Sequence, residues 1–353
     1  MNKELNNKKI KNLFVVDWKN TSPAEIKSLL TKSNLTGPYD WSFYNCHSKN
    51  YKHIGFVNRY FSYLLAVIYI LKNRKKYKNI IIWQQMIGML LCFVPKYYST
   101  PKIIITTLLY SPARVKQGSF KRLLLNKALK NADALLYFSK SMTNDVKTVY
   151  PKYKDKVFST YLPITNIVDK DNTYLGIGTK NTDFQRASVF SGGLSDRDFE
   201  TLIKAFTNTN VPVTIVCTQR HIFKNSLLIT SNFNIVRNVS EREYFSLALS
   251  SNIVIITLEN EYSSCGQLLF TFCMKNGIPI IATDCYGTRD YIINNENGIL
   301  IPVKDDKAIL SAYNKLITEP FFRESLIKKS QQIAKRMTFS NYLSKIDSII
   351  QKL

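Results

Sequence analysis

The stretch that decides the fold is Asn276-Gly277-Ile278-Pro279-Ile280-Ile281-Ala282-Thr283-Asp284, followed after Cys285 and Tyr286 by Gly287-Thr288-Arg289-Asp290-Tyr291-Ile292 and then by Asn297-Gly298-Ile299-Leu300-Ile301-Pro302-Val303. Gln267 to Lys275, just before it, predicts a helix, and Pro279 to Ala282 predicts a short buried strand. A polar, glycine-bearing turn follows the strand. The same rhythm runs back through the second half of the chain. Ala187–Phe190, Val211–Val216, Asn234–Val236 and Asn252–Ile256 read as strands, with helices at Phe199–Phe206 and Glu241–Leu249. The strands are continuous apolar runs rather than alternating ones, which marks burial on both faces. Strands alternating with helices require right-handed crossovers and hence a parallel sheet.

The first half repeats the pattern. Leu13–Val16, Asn79–Trp83, Lys102–Thr106 and Ala134–Phe138 read as strands, and Phe120–Asn131 as a helix. The expected fold class is therefore α/β, with two doubly wound parallel-sheet domains. A stretch without apolar periodicity, Pro163 to Asn181, separates them. The expected domains are 1–165 and 166–340, with a closing helix over 341–353 whose Leu343, Ile346, Ile349 and Ile350 keep helical spacing.

Composition narrows the class. The chain has 353 residues, 45% apolar and 21% charged, which is ordinary for a globular protein and excludes a disordered or fibrous one. No apolar run reaches the length of a transmembrane helix. The polar start, Met1 to Lys9, leads into no signal-peptide core. The six cysteines form no C-x-x-C pair, so no zinc site or disulfide framework is expected. These readings fit a cytoplasmic protein. The net charge is +24, and residues 1–160 carry 28 Lys/Arg against 7 Asp/Glu. The excess therefore sits in one half, where it favours an anionic partner.

Two further turns carry chemistry. Ser191-Gly192-Gly193-Leu194-Ser195-Asp196-Arg197-Asp198-Phe199 runs from a strand through two glycines into a helix start. The glycines admit a ligand close to the backbone, the helix start offers free N–H groups, and Arg197 can pair with phosphate. A plain strand-to-helix turn capped by Ser195 or Asp196 explains the same residues. Ser263-Ser264-Cys265-Gly266-Gln267-Leu268-Leu269 is a second small-residue turn opening a helix. All of these turns follow strands, and ligands of α/β sheets sit beyond the carboxyl ends of strands.

As a set, these segments resemble the nucleotide-sugar-binding domain of family 4 retaining glycosyltransferases of the GT-B fold, over about Ser191 to Asp305. Asp133 to Ser141 resembles the family more loosely. The resemblance implies two domains facing each other across a cleft, with the last helix returning to the first domain. It implies a nucleotide-sugar donor in the second domain, a retaining transfer without an obligatory metal, and no cofactor. Carried onto this sequence, the donor site comprises Gly192, Gly193, Gln219, Arg237, Ser264, Gly266, Gln267 and Leu268, with Arg197 and Asp17 as the catalytic residues. Arg197 would stabilise the diphosphate leaving group. The family's pair of Glu residues falls on Ser264 and Phe272, neither acidic, and Ser-Gly-Gln-type relatives match Cys265-Gly266-Gln267 instead. Glu259 or Glu261 is a candidate replacement. Asp196 and Asp198 have D-x-D spacing, but helix capping is the better reading.

In the first half, Tyr60 to Leu71 is an apolar stretch too short to span a bilayer, followed by Lys72, Arg74, Lys75, Lys76 and Lys78. It reads either as an interfacial helix with a basic hem for anionic lipid or as a core helix. Met86 to Val94 reads as a core helix. His47 and His53 do not make a metal site by themselves. Asp17 or Asp40 is a candidate base toward the acceptor. The expected activity is sugar transfer to a lipid-linked or other oligosaccharide acceptor, such as a surface polysaccharide, at the inner face of the cell membrane. The alternative is a non-catalytic GT-B partner or scaffold, motivated by the missing Glu pair. No nucleic-acid motif is present, so nucleic acid is not expected as a partner.

Overall fold

The computed structural model describes residues 10–18, 39–46, 55–94, 101–163, 184, 187–219 and 221–353. His47, His53 and most of the 163–181 seam lie outside these. The chain divides into two compact units, residues 1–161 with 339–353, and residues 162–338.

The first unit runs β1 (Ile10–Val16), β2 (Tyr39–Asn45), α1 (Gly55–Asn73), β3 (Asn79–Ile82), α2 (Gln85–Leu91), β4 (Lys102–Leu108), α3 (Phe120–Asn131), β5 (Ala134–Tyr137), α4 (Lys140–Val149) and β6 (Val157–Ser159). The second runs β7 (Val189–Gly192), α5 (Phe199–Phe206), β8 (Val213–Cys217), β9 (Phe233–Arg237), α6 (Glu241–Leu249), β10 (Ile253–Ile256), α7 (Gln267–Asn276), β11 (Ile280–Thr283), β12 (Ile299–Ile301), α8 (Asp306–Thr318) and α9 (Pro320–Ala334). The last helix, α10 (Phe339–Ile350), belongs to the first unit. There Tyr342 packs on Trp83 and Phe339 on Trp18, with ring centroids 5.3 and 6.0 Å apart.

Each unit holds a six-stranded sheet, ordered β2-β1-β3-β4-β5-β6 and β12-β11-β10-β7-β8-β9. Every strand pair is parallel. The strands β3, β5 and β10 are buried along their whole length, which is why their sequences show no alternation. In each sheet the direction of winding reverses once, between β1 and β3 and between β7 and β10. Loops leaving the carboxyl ends of such a pair diverge to opposite faces and open a crevice for a ligand.

Local signals set the helix ends. Asp198 caps α5, its carboxylate accepting from the Thr201 N–H at 3.1 Å. Gly277 ends α7 in the left-handed conformation, with φ 64°. Three strands lacked a sequence signal, among them β6, which is only three residues long. In β2, Asp40 and Ser42 interrupt the apolar residues, and the strand lies half-exposed at the sheet edge. β12 is three residues long.

Helix α2 sits directly on β4, and Gly88 sets that distance. A Cβ at residue 88 would lie 2.7 Å from Ile105 Cγ1. Gly88→Val is expected to destabilise the protein by about 1–3 kcal/mol through overpacking, read as a lower urea midpoint at unchanged m. An unchanged midpoint would show that the helix can lift from the sheet without cost.

Candidate active site

The loop after β7 is built around one cation. Gly193 has φ +149°, and a Cβ there would run into the Arg197 guanidinium. Arg197 folds back over its own turn: Nε donates to the Gly192 carbonyl at 2.8 Å and Nη1 to the Ser195 carbonyl at 2.9 Å. The Tyr244 hydroxyl is hydrogen-bonded to it as well. Burial raises the Tyr244 pKa above the ordinary phenol value, so this partner stays neutral. Gly192 makes room for the Tyr244 ring, whose Cε2 would stand 2.6 Å from an added Cβ. Arg197 is thus 9% exposed and spends two of its nitrogens on backbone carbonyls. A two-pronged grip on phosphate by those nitrogens is not the arrangement seen. The guanidinium instead fixes the turn, and its positive charge stays at the pocket wall.

The turn is tied to the loop after β10. Arg197 bridges Leu258 in antiparallel fashion, Asp198 N–H donates to the Thr257 carbonyl at 3.1 Å, and Glu259 N–H donates to the Asp196 carbonyl at 3.2 Å. Asp196 has φ 53° and is not a helix cap; its carboxylate accepts from Cys265 Sγ at 3.5 Å. Of the two aspartates with D-x-D spacing, only Asp198 caps the helix.

The other two turns stack beside it. Gly266, with φ +97°, opens α7, and Gln267 Nε2 donates to Ser264 Oγ at 3.2 Å with both side chains buried. Leu268 is half-exposed on the first turn of the helix. Gly287 presses its backbone on that turn: its N–H donates to the Ser263 carbonyl at 2.8 Å, and a Cβ would stand 2.9 Å from Cys265 N. Glycine is required there because the contact is backbone on backbone. The three glycine turns therefore touch in sequence along the carboxyl edge of one sheet.

A cavity of about 340 Å³ opens at this edge, lined by Gly193, Leu194, Asp196, Arg197, Phe199, Thr218, His221 and Glu259. Of the residues expected from the sequence, Gly193 and Arg197 line it. Gly192 lies one residue behind, holding Arg197 through its carbonyl. Ser264, Gly266, Gln267 and Leu268 belong to the neighbouring turn and do not line this cavity. Gln219 is exposed on the loop after β8. Arg237 ends β9, donates to the Thr218 carbonyl and lies over the Phe223 ring at 5.5 Å. Glu259 does line the cavity. Phe272 is packed against Phe245, ring centroids 4.6 Å apart. His221 carried no sequence signal, being a lone histidine in a loop; its place just beyond β8 is what brings it to the cavity.

In the first unit, Asp17 lies just past β1, at that sheet's reversal of winding. Its Oδ2 accepts from Tyr63 Oη at 3.0 Å and from Arg59 Nη2 at 3.3 Å. Gln84, just past β3, donates to Tyr63 Oη at 3.1 Å. Burial first, then the Asp17 charge, raises the Tyr63 pKa, keeping it a neutral donor. Asp40 pairs with Lys11 at the opposite, amino end of these strands and does not join the group.

Residues 197–333 match the Glycosyl transferases group 1 family. HepE of Anabaena, solved with UDP-glucose, has the same fold, with a TM-score of 0.64 at 14% identity over 98% of this chain and 100% of that one. Sucrose-phosphate synthase of Thermosynechococcus elongatus gives 0.65 at 12% identity over 98% and 99%. The lipopolysaccharide outer core galactosyltransferase WaaB gives 0.65 at 13% identity over 98% and 100%. No curated protein matches the chain in sequence. The fold is GT-B. Together with the domain match, it defines the chain as a glycosyltransferase.

Arg197→Ala is expected to lower turnover by about 10²–10³-fold, the scale for losing a preorganised charge at a leaving group. Gly193→Ala should reproduce most of that loss, because its Cβ displaces the same guanidinium. The double variant should then be little worse than either single one, read from kcat in a double-mutant cycle. Additive losses would show that Gly193 and Arg197 act separately.

Proposed function

We propose that the protein is a retaining glycosyltransferase that takes its sugar from a nucleotide-sugar donor held by the second unit. The observation that carries this is the cavity at the β7/β10 reversal, where the Gly193 turn, the start of α5 and the Arg197 charge come together. A diphosphate fits that combination of positive charge and a glycine turn that lets a ligand approach the backbone closely. HepE was solved with UDP-glucose at the same fold, which supports a nucleotide-sugar partner. Arg197 and the helix start stabilise charge on the departing diphosphate. The first unit takes the acceptor, a lipid-linked or surface-polysaccharide glycan, and Asp17 receives the proton of its attacking hydroxyl. Tyr63 and Arg59 both bond Oδ2, which orients the carboxylate for that role.

The protein works at the cytoplasmic face of an anionic membrane. No helix among the described residues is long and apolar enough to cross one. Helix α1 has two faces: Tyr63, Ala66, Val67 and Ile70 are buried, whereas Phe61, Leu64, Leu65 and Ile68 are between 37% and 51% exposed. The exposed set has the i, i+3, i+4, i+7 spacing of a single stripe. The basic residues Lys72 to Lys78 follow directly. An apolar stripe with a basic hem is the pattern of a helix lying at a lipid surface.

Two measurements test this reading. Transfer from a nucleotide sugar should give a product with the donor's anomeric configuration by NMR; inversion would contradict the retaining assignment, and absence of transfer would favour a non-catalytic role. Binding to vesicles should require anionic lipid and weaken with salt. Neutralising Lys72, Arg74, Lys75, Lys76 and Lys78 should remove about 3–5 kcal/mol of attraction at most. Equal binding to neutral vesicles would exclude the electrostatic part.

A further inference from the structure

The donor cavity contains two polar side chains that the reading above does not use. The Glu259 carboxylate lines the cavity and is solvent-exposed, and no ion pair or hydrogen bond holds it among the described residues. His221 lines the same cavity, and its Nε2 is buried without a hydrogen-bond partner. The imidazole is fixed edge-on between Phe199 and Phe223, at centroid distances of 5.0 and 4.7 Å. Its backbone N–H is anchored on the Thr218 carbonyl at 3.1 Å.

We propose that Glu259 and His221 form a hydroxyl-reading wall of the donor cavity, receiving a hydroxyl-bearing ring that flanks the diphosphate. The proposal deepens the donor assignment and rests on it. Its chemistry follows from what each group can do. Phosphate oxygens only accept hydrogen bonds, and so does a carboxylate. Two anions placed together repel, so Glu259 cannot face the diphosphate. A sugar hydroxyl can donate to Glu259, and charge-assisted bonds of that kind are strong. A hydroxyl both donates and accepts, so it also satisfies His221 Nε2 in either tautomer. Burial lowers the His221 pKa, which favours the neutral ring suited to that exchange.

The backbone gives the cavity a polar axis. Arg197 and Leu258 are bridge partners, and Glu259 follows at once. The guanidinium and the carboxylate thus stand on paired segments of one rim, and they form no salt bridge with each other among the described residues. One end suits phosphate and the other suits hydroxyls. A diphosphate has such a ring on each side, the transferred glycosyl group and the ribose.

Calorimetry with UDP-, GDP- and ADP-glucose, and with UDP, GDP and ADP, separates the possibilities. If none of the six binds wild-type protein, the donor assignment itself falls. With a bound pair in hand, Glu259→Gln is expected to weaken the nucleotide sugar by about tenfold or more, the scale for a hydrogen bond to a charged group. If the glycosyl ring sits at Glu259, the sugar-free diphosphate will bind as before or more tightly, since a nearby negative charge is gone. If the ribose sits there, both ligands will weaken alike. His221→Phe keeps the aromatic packing, removes Nε2, and should give the same pattern. Unchanged or tighter binding of both ligands to Glu259→Gln would overturn the proposal. So would unchanged binding of both to a His221→Phe protein that melts like wild type.

Discussion

The candidate donor cavity depends on one placement: the Arg197 guanidinium lying over Gly193. Two carbonyls of its own turn and the Tyr244 hydroxyl hold it there, and the absence of a side chain at Gly193 leaves the volume it fills. A glycine with φ near +149° is needed both to reverse the chain and to vacate the space. From this contact the rest is built outward. Arg197 pairs with Leu258, Asp196 with Cys265, and Gly287 with the Ser263–Cys265 backbone. Turns from β7, β10 and β11 thereby become one rigid edge. Rigid placement of charge is what makes such a group effective at a reaction centre, since nothing need reorganise as the charge develops.

The two units differ in charge. The first carries nearly all of the chain's positive excess, and the second is close to balanced. In the second unit a single cation, Arg197, lines the candidate cavity. A surface excess spread over Lys72 to Lys78 and over α3 is suited instead to an extended anionic partner, which it would attract over a range set by the Debye length. Within the first unit, helix α1 shows how one sequence serves two environments. Its Tyr63 side is core, bonded to Asp17 and Gln84, and its Phe61–Ile68 side faces outward.

Much of the fold was legible because parallel strands buried on both faces leave an unmistakable trace. Ile80–Ile82, Ile103–Ile105 and Ile253–Ile256 are continuous apolar runs, and each is a strand. Edge strands leave less. Tyr39–Asn45 is half-exposed, so polar residues are tolerated and the pattern dissolves. At the site, the glycine turns were readable as turns, and Gly193 and Gly266 do take left-handed backbone angles that other residues rarely adopt. What a glycine makes room for was not readable. That Gly193 makes room for Arg197, and Gly287 for a backbone, depends on contacts between distant segments. His221 was silent for the same reason: a lone histidine gains meaning only from the rings of Phe199 and Phe223 around it. Glu259 was visible as a candidate carboxylate, but only the antiparallel bridge beside Arg197 brings it to the cavity.

On this reading a nucleotide sugar binds at the edge organised by Arg197 and Gly193. A crystal structure of the protein with a bound nucleotide sugar tests it most directly. The diphosphate is expected against the Gly193–Asp196 turn and the start of α5, within reach of the Arg197 charge, with a hydroxylated ring toward Glu259. A nucleotide bound in the first unit, or at the amino-terminal edge of the second sheet, would contradict it.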